Sequence, residues 1–181
     1  MTGSPQDNSL GMIQRLVLLV VALGLAVVLL VLRGGMQSES PMEQLARQSL
    51  EPQEALSNGR PTIVEFYADW CQVCREMAPA MLDLERRNRN SLDVVLINVD
   101  NPRWLDLVDR YDVNGIPQLN LFNASGDPIG RSLGLRTPEE LKGLSEALIG
   151  NRALPSLPGV GEVSALSTPT ATTSAGPRSH G

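Results

Sequence analysis

Three hydrophobic patterns divide this chain of 181 residues. Every residue from Leu16 to Leu32 is apolar or glycine, and as a helix this run would measure about 26 Å, close to the roughly 30 Å hydrocarbon thickness of a bilayer. Between residues 40 and 150, short apolar runs alternate with segments in which apolar residues recur every three or four positions. Such alternation predicts strands interleaved with helices. Residues 155–181 have almost no periodicity and are rich in Pro, Ser, Thr, Gly and Ala.

These patterns predict five segments. Residues 1–11 are interpreted as a disordered leader, residues 12–33 as an uncleaved transmembrane signal anchor, and residues 34–39 as a linker. A globular domain occupies residues 40–150. The Pro/Ser/Thr-rich tail, residues 151–181, is expected to be disordered because it cannot bury enough surface to offset chain entropy. A cleaved signal peptide is the alternative for the anchor, although the apolar run exceeds the roughly 7–15 residues of a signal-peptide core.

Capping residues and β-branched runs predict the order of elements in the domain. Ser40 with Glu43, and Thr137 with Glu140, form capping boxes that begin the first and last helices. The alternation of strands and helices indicates an α/β layer fold with parallel strand pairs, to which a final hairpin adds an antiparallel edge. Helices are expected at residues 40–58, 71–88, 101–110 and 137–150, and strands at residues 62–67, 92–99, 118–122 and 128–132.

The composition argues against two classes of function, nucleic-acid binding and zinc binding. The net charge is −5 at pH 7 and no dense run of Lys and Arg occurs, which argues against nucleic acid as a partner. A zinc site needs about four ligands, whereas the chain has two cysteines and one histidine, His180, near the end of the tail. Neither a metal nor another cofactor is predicted. The close cysteine pair indicates redox chemistry instead.

Cys71 and Cys74 stand where a predicted strand gives way to a helix. The unpaired N–H groups and partial positive charge of a helix start favour a thiolate, which is the attacking species in disulfide exchange. Because Cys74 follows one helical turn later, we expect Cys71 to be the exposed nucleophile and Cys74 the more buried resolving thiol of a redox disulfide. The two cysteines could instead be half of a metal knuckle or a chance pair. The metal knuckle would need further ligands that the chain does not offer.

The segment Val64–Cys74, with the sequence Val-Glu-Phe-Tyr-Ala-Asp-Trp-Cys-Gln-Val-Cys, resembles the active-site strand and motif of the thioredoxin family. Pro79 matches that family's helix-kinking proline, the Gly115–Pro117 segment its cis-proline loop, and Gly134 the glycine before its last helix. With the N-terminal anchor, the chain resembles the membrane-anchored TxlA type, found in cyanobacteria and, as relatives, in the chloroplast thylakoid. The resemblance implies a thioredoxin-like fold, with a central mixed sheet flanked by helices, preceded by one transmembrane helix.

The resemblance also implies roles for matched residues. Trp70 would shield the sulfurs and form part of a docking surface, and a cis Pro117 would place the backbone of Ile116 beside the disulfide, where a substrate strand can pair with it. Glu65 takes the position of the family's buried Asp and would relay the proton of Cys74. Simpler interpretations stay open: a partly buried core aromatic for Trp70, a trans turn residue for Pro117 and a solvated acid for Glu65.

Three departures from the family pattern bear on this site. Gln72–Val73 stands where typical thioredoxins have Gly–Pro, which leaves the reduction potential open. Leu96 replaces a lysine near the buried acid, so Glu65 should be harder to ionise. Gln118 replaces the usual Thr after the cis-proline and is expected to alter the choice of partner.

These observations favour a membrane-anchored thiol–disulfide oxidoreductase that reduces disulfide-bearing proteins. Strongly oxidising motifs place His between the cysteines, and Gln72–Val73 offers no such cation. The resemblance implies apocytochrome c as a candidate substrate, a membrane electron donor, and a domain on the non-cytoplasmic side, in the periplasm or thylakoid lumen. The flanking charges, Arg15 before the span and Arg33 and Arg47 after it, are too evenly balanced to fix this topology. A disulfide donor, and a non-catalytic thioredoxin-fold adaptor or chaperone, are the alternatives.

Overall fold

The computed structural model describes residues 7–35, 39–157 and 159–166 of the chain. These residues belong to two units, Met1–Glu39 and Ser40–Gly181. The rest of the expected leader (residues 1–6) and of the expected linker (residues 36–38) lies outside the described residues.

The first unit contains one long helix, α1 (Asp7–Gly35). Within it, Gly11–Val31 is long and apolar enough to cross a bilayer, by length and composition, so it is a candidate transmembrane span. The expected disordered leader is wrong for residues 7–11, which belong to the helix. Once a helix is established, each further residue extends it at little cost.

The second unit is built around a four-stranded mixed sheet. Its strands are β1 (Thr62–Tyr67), β2 (Asp93–Asn98), β4 (Gln118–Phe122) and β5 (Pro128–Leu133), and a separate two-stranded sheet pairs β3 (Gly115–Ile116) with β6 (Ser164–Ala165). The spatial order of the main sheet is β2-β1-β4-β5, with β1 parallel to β2 and antiparallel to β4, which is in turn antiparallel to β5. All six positions of β1 are buried, Glu65 included, in agreement with a sequence that is otherwise β-branched and aromatic.

Helices flank the sheet, so the central mixed sheet with helical layers is confirmed. Both predicted capping boxes form, at Ser40 with Glu43 and at Thr137 with Glu140. The first expected helix is divided in two, because Pro52 begins a new first turn. The helices are α2 (Pro41–Gln48), α3 (Pro52–Ala55), α4 (Gln72–Asn88), α5 (Leu105–Arg110), preceded by a 3₁₀ turn at Pro102–Trp104, and α6 (Pro138–Ile149).

Side chains of β1 alternate between the two faces of the sheet. Phe66 lies on the α5 side, where its ring centroid is 6.0 Å from that of Tyr111, and Tyr111 is 5.7 Å from Phe122. Glu65, one position earlier, therefore faces the opposite side. Helices α4 and α6 pack against each other. The strand thus directs an ionisable group away from the ring cluster of Phe66, Tyr111 and Phe122.

The segment after α6 differs from the disorder expected from residue 151. Leu154, Leu157 and Leu166 pack against the core, and β6 pairs with β3. From Leu154 to Leu166, leucine or valine recurs at every third position. The three leucines of this set are the residues that pack against the core, whereas Val160 and Val163 are exposed. Residues 158 and 167–181, including His180, lie outside the described residues.

Candidate functional site

The cysteine pair lies where β1 leads into α4. Cys71 is the N-cap of α4, and the backbone N–H of Cys74 donates to Cys71 Sγ across 3.1 Å. The two sulfurs form the expected disulfide, with an S–S distance of 2.10 Å and a Cα–Cα distance of 5.3 Å. A sulfur at an N-cap accepts an N–H that has no partner inside the helix. The helix start therefore offers a ready hydrogen-bond donor to a thiolate at Cys71.

Both cysteine side chains are fully buried. The expectation of an exposed Cys71 is therefore wrong for this disulfide form. The physical reason is local: Cys71 Sγ is turned back over the helix start toward the N–H of Cys74 and is bonded to Cys74 Sγ. A protein substrate can therefore contact this sulfur only by way of the residues that cover it.

Trp70 precedes the motif and is 49% exposed. Its indole Nε1–H donates to the Asp100 carboxylate across 2.8 Å. Asp100 stands two residues after the end of β2 at Asn98. Because β2 is the parallel neighbour of β1, the loops that follow the two strands lie next to each other. Because Trp70 lies outside the buried core, it is available to a docking partner, and this role stays a prediction.

The cis-proline loop contains the expected cis peptide bond, between Ile116 and Pro117. Ile116 is fully buried and belongs to β3. The Pro117 carbonyl accepts a hydrogen bond from the Gly134 N–H across 2.8 Å, which ties the loop to the turn after β5. Gly134 has φ +87°, a conformation that favours glycine. Pro117 and Gly134, which both match the family pattern in sequence, thus lie on two segments that contact each other directly.

Glu65 is fully buried in the middle of β1. Its strand neighbours across the sheet are Leu96 and Leu119, and neither carboxyl oxygen has a hydrogen-bond partner among the described residues. Burial raises the pKa of Glu65 from 4.5 to about 8. The interpretation of Glu65 as a solvated acid is therefore wrong. Its service as a proton relay to Cys74 stays a prediction.

Gln118 directly follows the cis-proline but is buried. Its Nε2 donates to the Tyr111 carbonyl across 3.0 Å and to Asn120 Oδ1 across 2.9 Å. The side chain therefore ties the end of α5 to β4. The influence of Gln118 on the choice of partner stays a prediction.

Sequence reasoning missed two features of this site. Asp100 was not linked to Trp70, because nothing in the local sequence relates the two residues across the sheet. Arg136 was not singled out, yet its side chain is buried and donates to Ser132 Oγ and to the Leu133 and Gly159 carbonyls. Its neighbours, Leu135 and Thr137, gave no signal that it would be buried. In the part of the chain that the structure describes, no group of three or more His, Cys, Asp or Glu could hold a metal ion.

The arrangement has the parts that thiol–disulfide exchange requires. A disulfide spans one helical turn, a backbone N–H points at the sulfur of Cys71, and a buried acid with a raised pKa lies on the strand before it. These groups can stabilise a thiolate and hold a proton near neutral pH. The chemistry is that of a thiol–disulfide oxidoreductase.

This chain is similar to several known proteins over most of its length. It is 36% identical over 168 residues to the thiol:disulfide interchange protein TxlA of Synechococcus elongatus, covering 90% of this chain and 88% of that protein. It is 37% identical over 141 residues to the TxlA homolog of Synechocystis sp., covering 77% and 78% respectively.

A third relative is the chloroplastic thioredoxin-like protein HCF164 of Arabidopsis thaliana, 35% identical over 142 residues. That match covers 77% of this chain but 54% of the relative, so the chain spans about half the length of this chloroplast protein. The model of the family described as thioredoxin matches residues 44–146. These residues include the disulfide, the buried Glu65, the cis-proline loop and Gly134, and the chain therefore belongs to the thioredoxin family.

Proposed function

We propose that this protein is a membrane-anchored thiol–disulfide oxidoreductase that reduces disulfide-bearing proteins on the non-cytoplasmic side of a membrane. The observation that carries the proposal is the Cys71–Cys74 disulfide at the start of α4, with the Cys74 N–H on Cys71 Sγ. The names of the cyanobacterial relatives, which are thiol:disulfide interchange proteins, support it.

The exchange proceeds in two displacements. In the reduced protein, the Cys71 thiolate attacks one sulfur of a substrate disulfide, which forms a mixed disulfide and releases the other substrate sulfur as a thiolate. The Cys74 thiolate then attacks Cys71 Sγ, closes the Cys71–Cys74 disulfide and releases the second substrate thiolate. Two electrons and two protons pass to the substrate. The Cys74 N–H stabilises negative charge on Cys71 at the start of the first displacement.

Glu65 is proposed to hold and pass the proton of Cys74. With a pKa of about 8, its carboxyl group exchanges protons near neutral pH, whereas an ordinary glutamate is ionised there. Cys74 must lose its proton before the second displacement, and a carboxylate at Glu65 can accept it. The apolar neighbour Leu96 offers no cation to lower that pKa.

The proposed direction, reduction of the substrate, follows from the residues between the cysteines. Gln72 directs its side-chain amide to Glu76 of its own helix, across 3.5 Å, and Val73 is apolar. Neither adds a positive charge that would stabilise a thiolate at Cys71. A less stabilised thiolate makes the dithiol form a better electron donor.

The anchor and the partners are the remaining parts of the proposal. The Gly11–Val31 span supports attachment to a membrane, where a membrane electron donor would return the Cys71–Cys74 pair to the dithiol form. Apocytochrome c, whose haem-attachment motif is a Cys-x-x-Cys-His segment, is the candidate substrate by analogy with other anchored members of the family. The domain would then face the periplasm or thylakoid lumen.

The two cysteines should have different variant phenotypes. We expect Cys71→Ser to lose reduction of an oxidised Cys-x-x-Cys-His peptide down to the uncatalysed rate. Cys74→Ser should instead accumulate a mixed disulfide between Cys71 and the peptide, because the resolving thiol is absent. Both are measured with the full chain in detergent micelles, by mass spectrometry and non-reducing gels. Full activity of Cys71→Ser would contradict the proposal and favour an adaptor or chaperone.

The reduction potential of the Cys71–Cys74 pair tests the direction of electron flow. We expect a value near that of thioredoxin, about −270 mV, rather than near that of the oxidant DsbA, about −120 mV. Equilibration of the full chain with a dithiothreitol series, followed by alkylation of free thiols, measures it. A potential close to the oxidant's value, with rapid oxidation of a dithiol peptide, would replace the reductant by a disulfide donor.

Glu65 should make stability depend on pH. Its pKa is raised in the folded state, so the folded protein binds the proton more tightly than the unfolded chain, and the stabilisation is complete below pH 4.5. As pH rises from 4.5 through about 8, the free energy of unfolding should fall by about 4 kcal/mol. Urea denaturation across this range measures it, and Glu65→Gln should lack the fall.

The matched control for Glu65→Gln is Glu76→Gln, which changes an exposed acid on α4. It should keep the pH dependence of the natural protein. If Glu65→Gln and Glu76→Gln have the same pH profile, the titrating group is not Glu65.

A proton relay adds a kinetic signature: Glu65→Gln should slow release of the mixed disulfide while leaving its formation unchanged.

Topology is tested with sealed vesicles whose cytoplasmic face is outside. Added protease should leave residues 40–150 intact, and should digest loops of the domain only after detergent opens the vesicles. A cytoplasmic protein bound to the same vesicles serves as the control for protease activity. Digestion of the domain in intact vesicles would place it on the cytoplasmic side and contradict the proposed orientation.

A further inference from the structure

The segment that follows α6 runs along the cis-proline loop. Residues Ser164–Ala165 pair antiparallel with Gly115–Ile116, with Ser164 opposite Ile116. The N–H of Leu166 donates to the Asn114 carbonyl across 3.4 Å. This segment, residues 159–166, is called the tail strand below.

The tail strand uses the main-chain groups of Ile116. In an antiparallel pair, N–H groups alternate between facing the partner strand and facing away. Because the Leu166 N–H faces β3, the Ser164 N–H does so too, and Ile116 and Ser164 form the reciprocally bonded pair. These are the groups through which a substrate strand would pair with the loop. One edge cannot bind both strands at once.

A second contact lies at the glycine turn after β5. The Leu135 N–H donates to the Glu162 carbonyl across 2.9 Å, and the Gly161 N–H donates to the Leu133 carbonyl across 3.0 Å. Gly161 lies directly against Gly134, so closely that a Cβ on either residue would overlap backbone atoms of the other segment. The tail strand thus contacts both the cis-proline loop and the glycine turn after β5, and not β3 alone.

A buried cation holds the beginning of the tail strand. The Arg136 side chain is 4% exposed, and its Nη2 donates to the Gly159 carbonyl across 2.9 Å and to the Leu133 carbonyl across 3.1 Å. Hydrogen bonds from a charged donor are about twice as strong as neutral ones. The tail strand is therefore fixed at Gly159, at Gly161 and at Ser164, on one continuous path.

We propose that the tail strand is an intramolecular competitor that occupies the substrate groove, so that an extended substrate segment must displace it before reaching Cys71. The inference rests on the proposed function. The position of Gly161 against Gly134 further indicates that the groove accepts an extended chain with a small residue at that point. Displacement breaks main-chain hydrogen bonds and the bond from Arg136 Nη2 to the Gly159 carbonyl, and the disulfide exchange itself is unchanged.

The first test is Gly161→Val in the full chain in detergent micelles, with the oxidised Cys-x-x-Cys-His peptide as substrate. A side chain at this position would overlap the Leu135 carbonyl oxygen and lift the tail strand. Because the open fraction of the groove rises, KM should fall about tenfold with kcat unchanged. Val160→Ala, at an exposed neighbouring position, is the matched control and should keep the natural KM.

Hydrogen–deuterium exchange measures coverage of the groove without any substrate. The Ile116 N–H should exchange slowly in the natural protein and at least about tenfold faster in Gly161→Val. Ser164→Pro is an independent disruption, since proline removes the N–H that faces Ile116. It should reproduce both the lower KM and the faster exchange, and circular dichroism of each variant checks that the domain remains folded.

The outcomes separate the inference from the proposed function. If both disrupting variants reduce the peptide with the natural KM, or leave Ile116 equally protected, the tail strand does not compete with substrate, although the protein is still a reductant. If no form reduces any disulfide peptide, the proposed function fails. In that case hydrogen–deuterium exchange of the Ile116 N–H still shows whether the tail strand covers the groove. If the exchange rate in both variants equals that of the natural protein, the inference is overturned.

Discussion

The burial of β1 between two other strands is the constraint on which the rest of the domain depends. A strand paired on both edges and covered on both faces cannot shift its register without moving apolar side chains to the wrong side. Its end at Tyr67 is therefore fixed, and the chain has four residues in which to leave the sheet before α4 begins at Gln72. The position of Cys71 at the helix start is a consequence of this strand.

The same burial gives Glu65 its chemistry. A carboxyl group in the middle of a covered strand loses water on every side, and its strand neighbours Leu96 and Leu119 return no hydrogen bond. The protein keeps the group neutral over a wider pH range instead of pairing it. The strand that leads to the cysteines therefore also contains an acid that is costly to ionise in the folded state.

Local chemistry made most of the fold predictable. The run from Thr62 to Tyr67 specifies a buried strand, Ser40 and Thr137 specify helix starts, and two cysteines one turn apart specify a pair at an N-cap. The full burial of Cys71 follows from the disulfide and the N–H of Cys74 at the helix start, which the motif alone did not indicate. The order of residues 151–157 and 159–166 depends on distant segments, because a few apolar side chains pack against a surface that the rest of the domain provides. Composition cannot indicate such contacts.

The tail strand also affects how one copy of the protein can contact another. A short strand such as β3, left without a neighbour, shows unpaired N–H and C=O groups that any extended chain can add to. With Ser164 opposite Ile116, that edge is occupied. While the tail strand is in place, another copy of the protein cannot add a strand to this edge of β3, whereas β2 and β5 remain the edge strands of the main sheet.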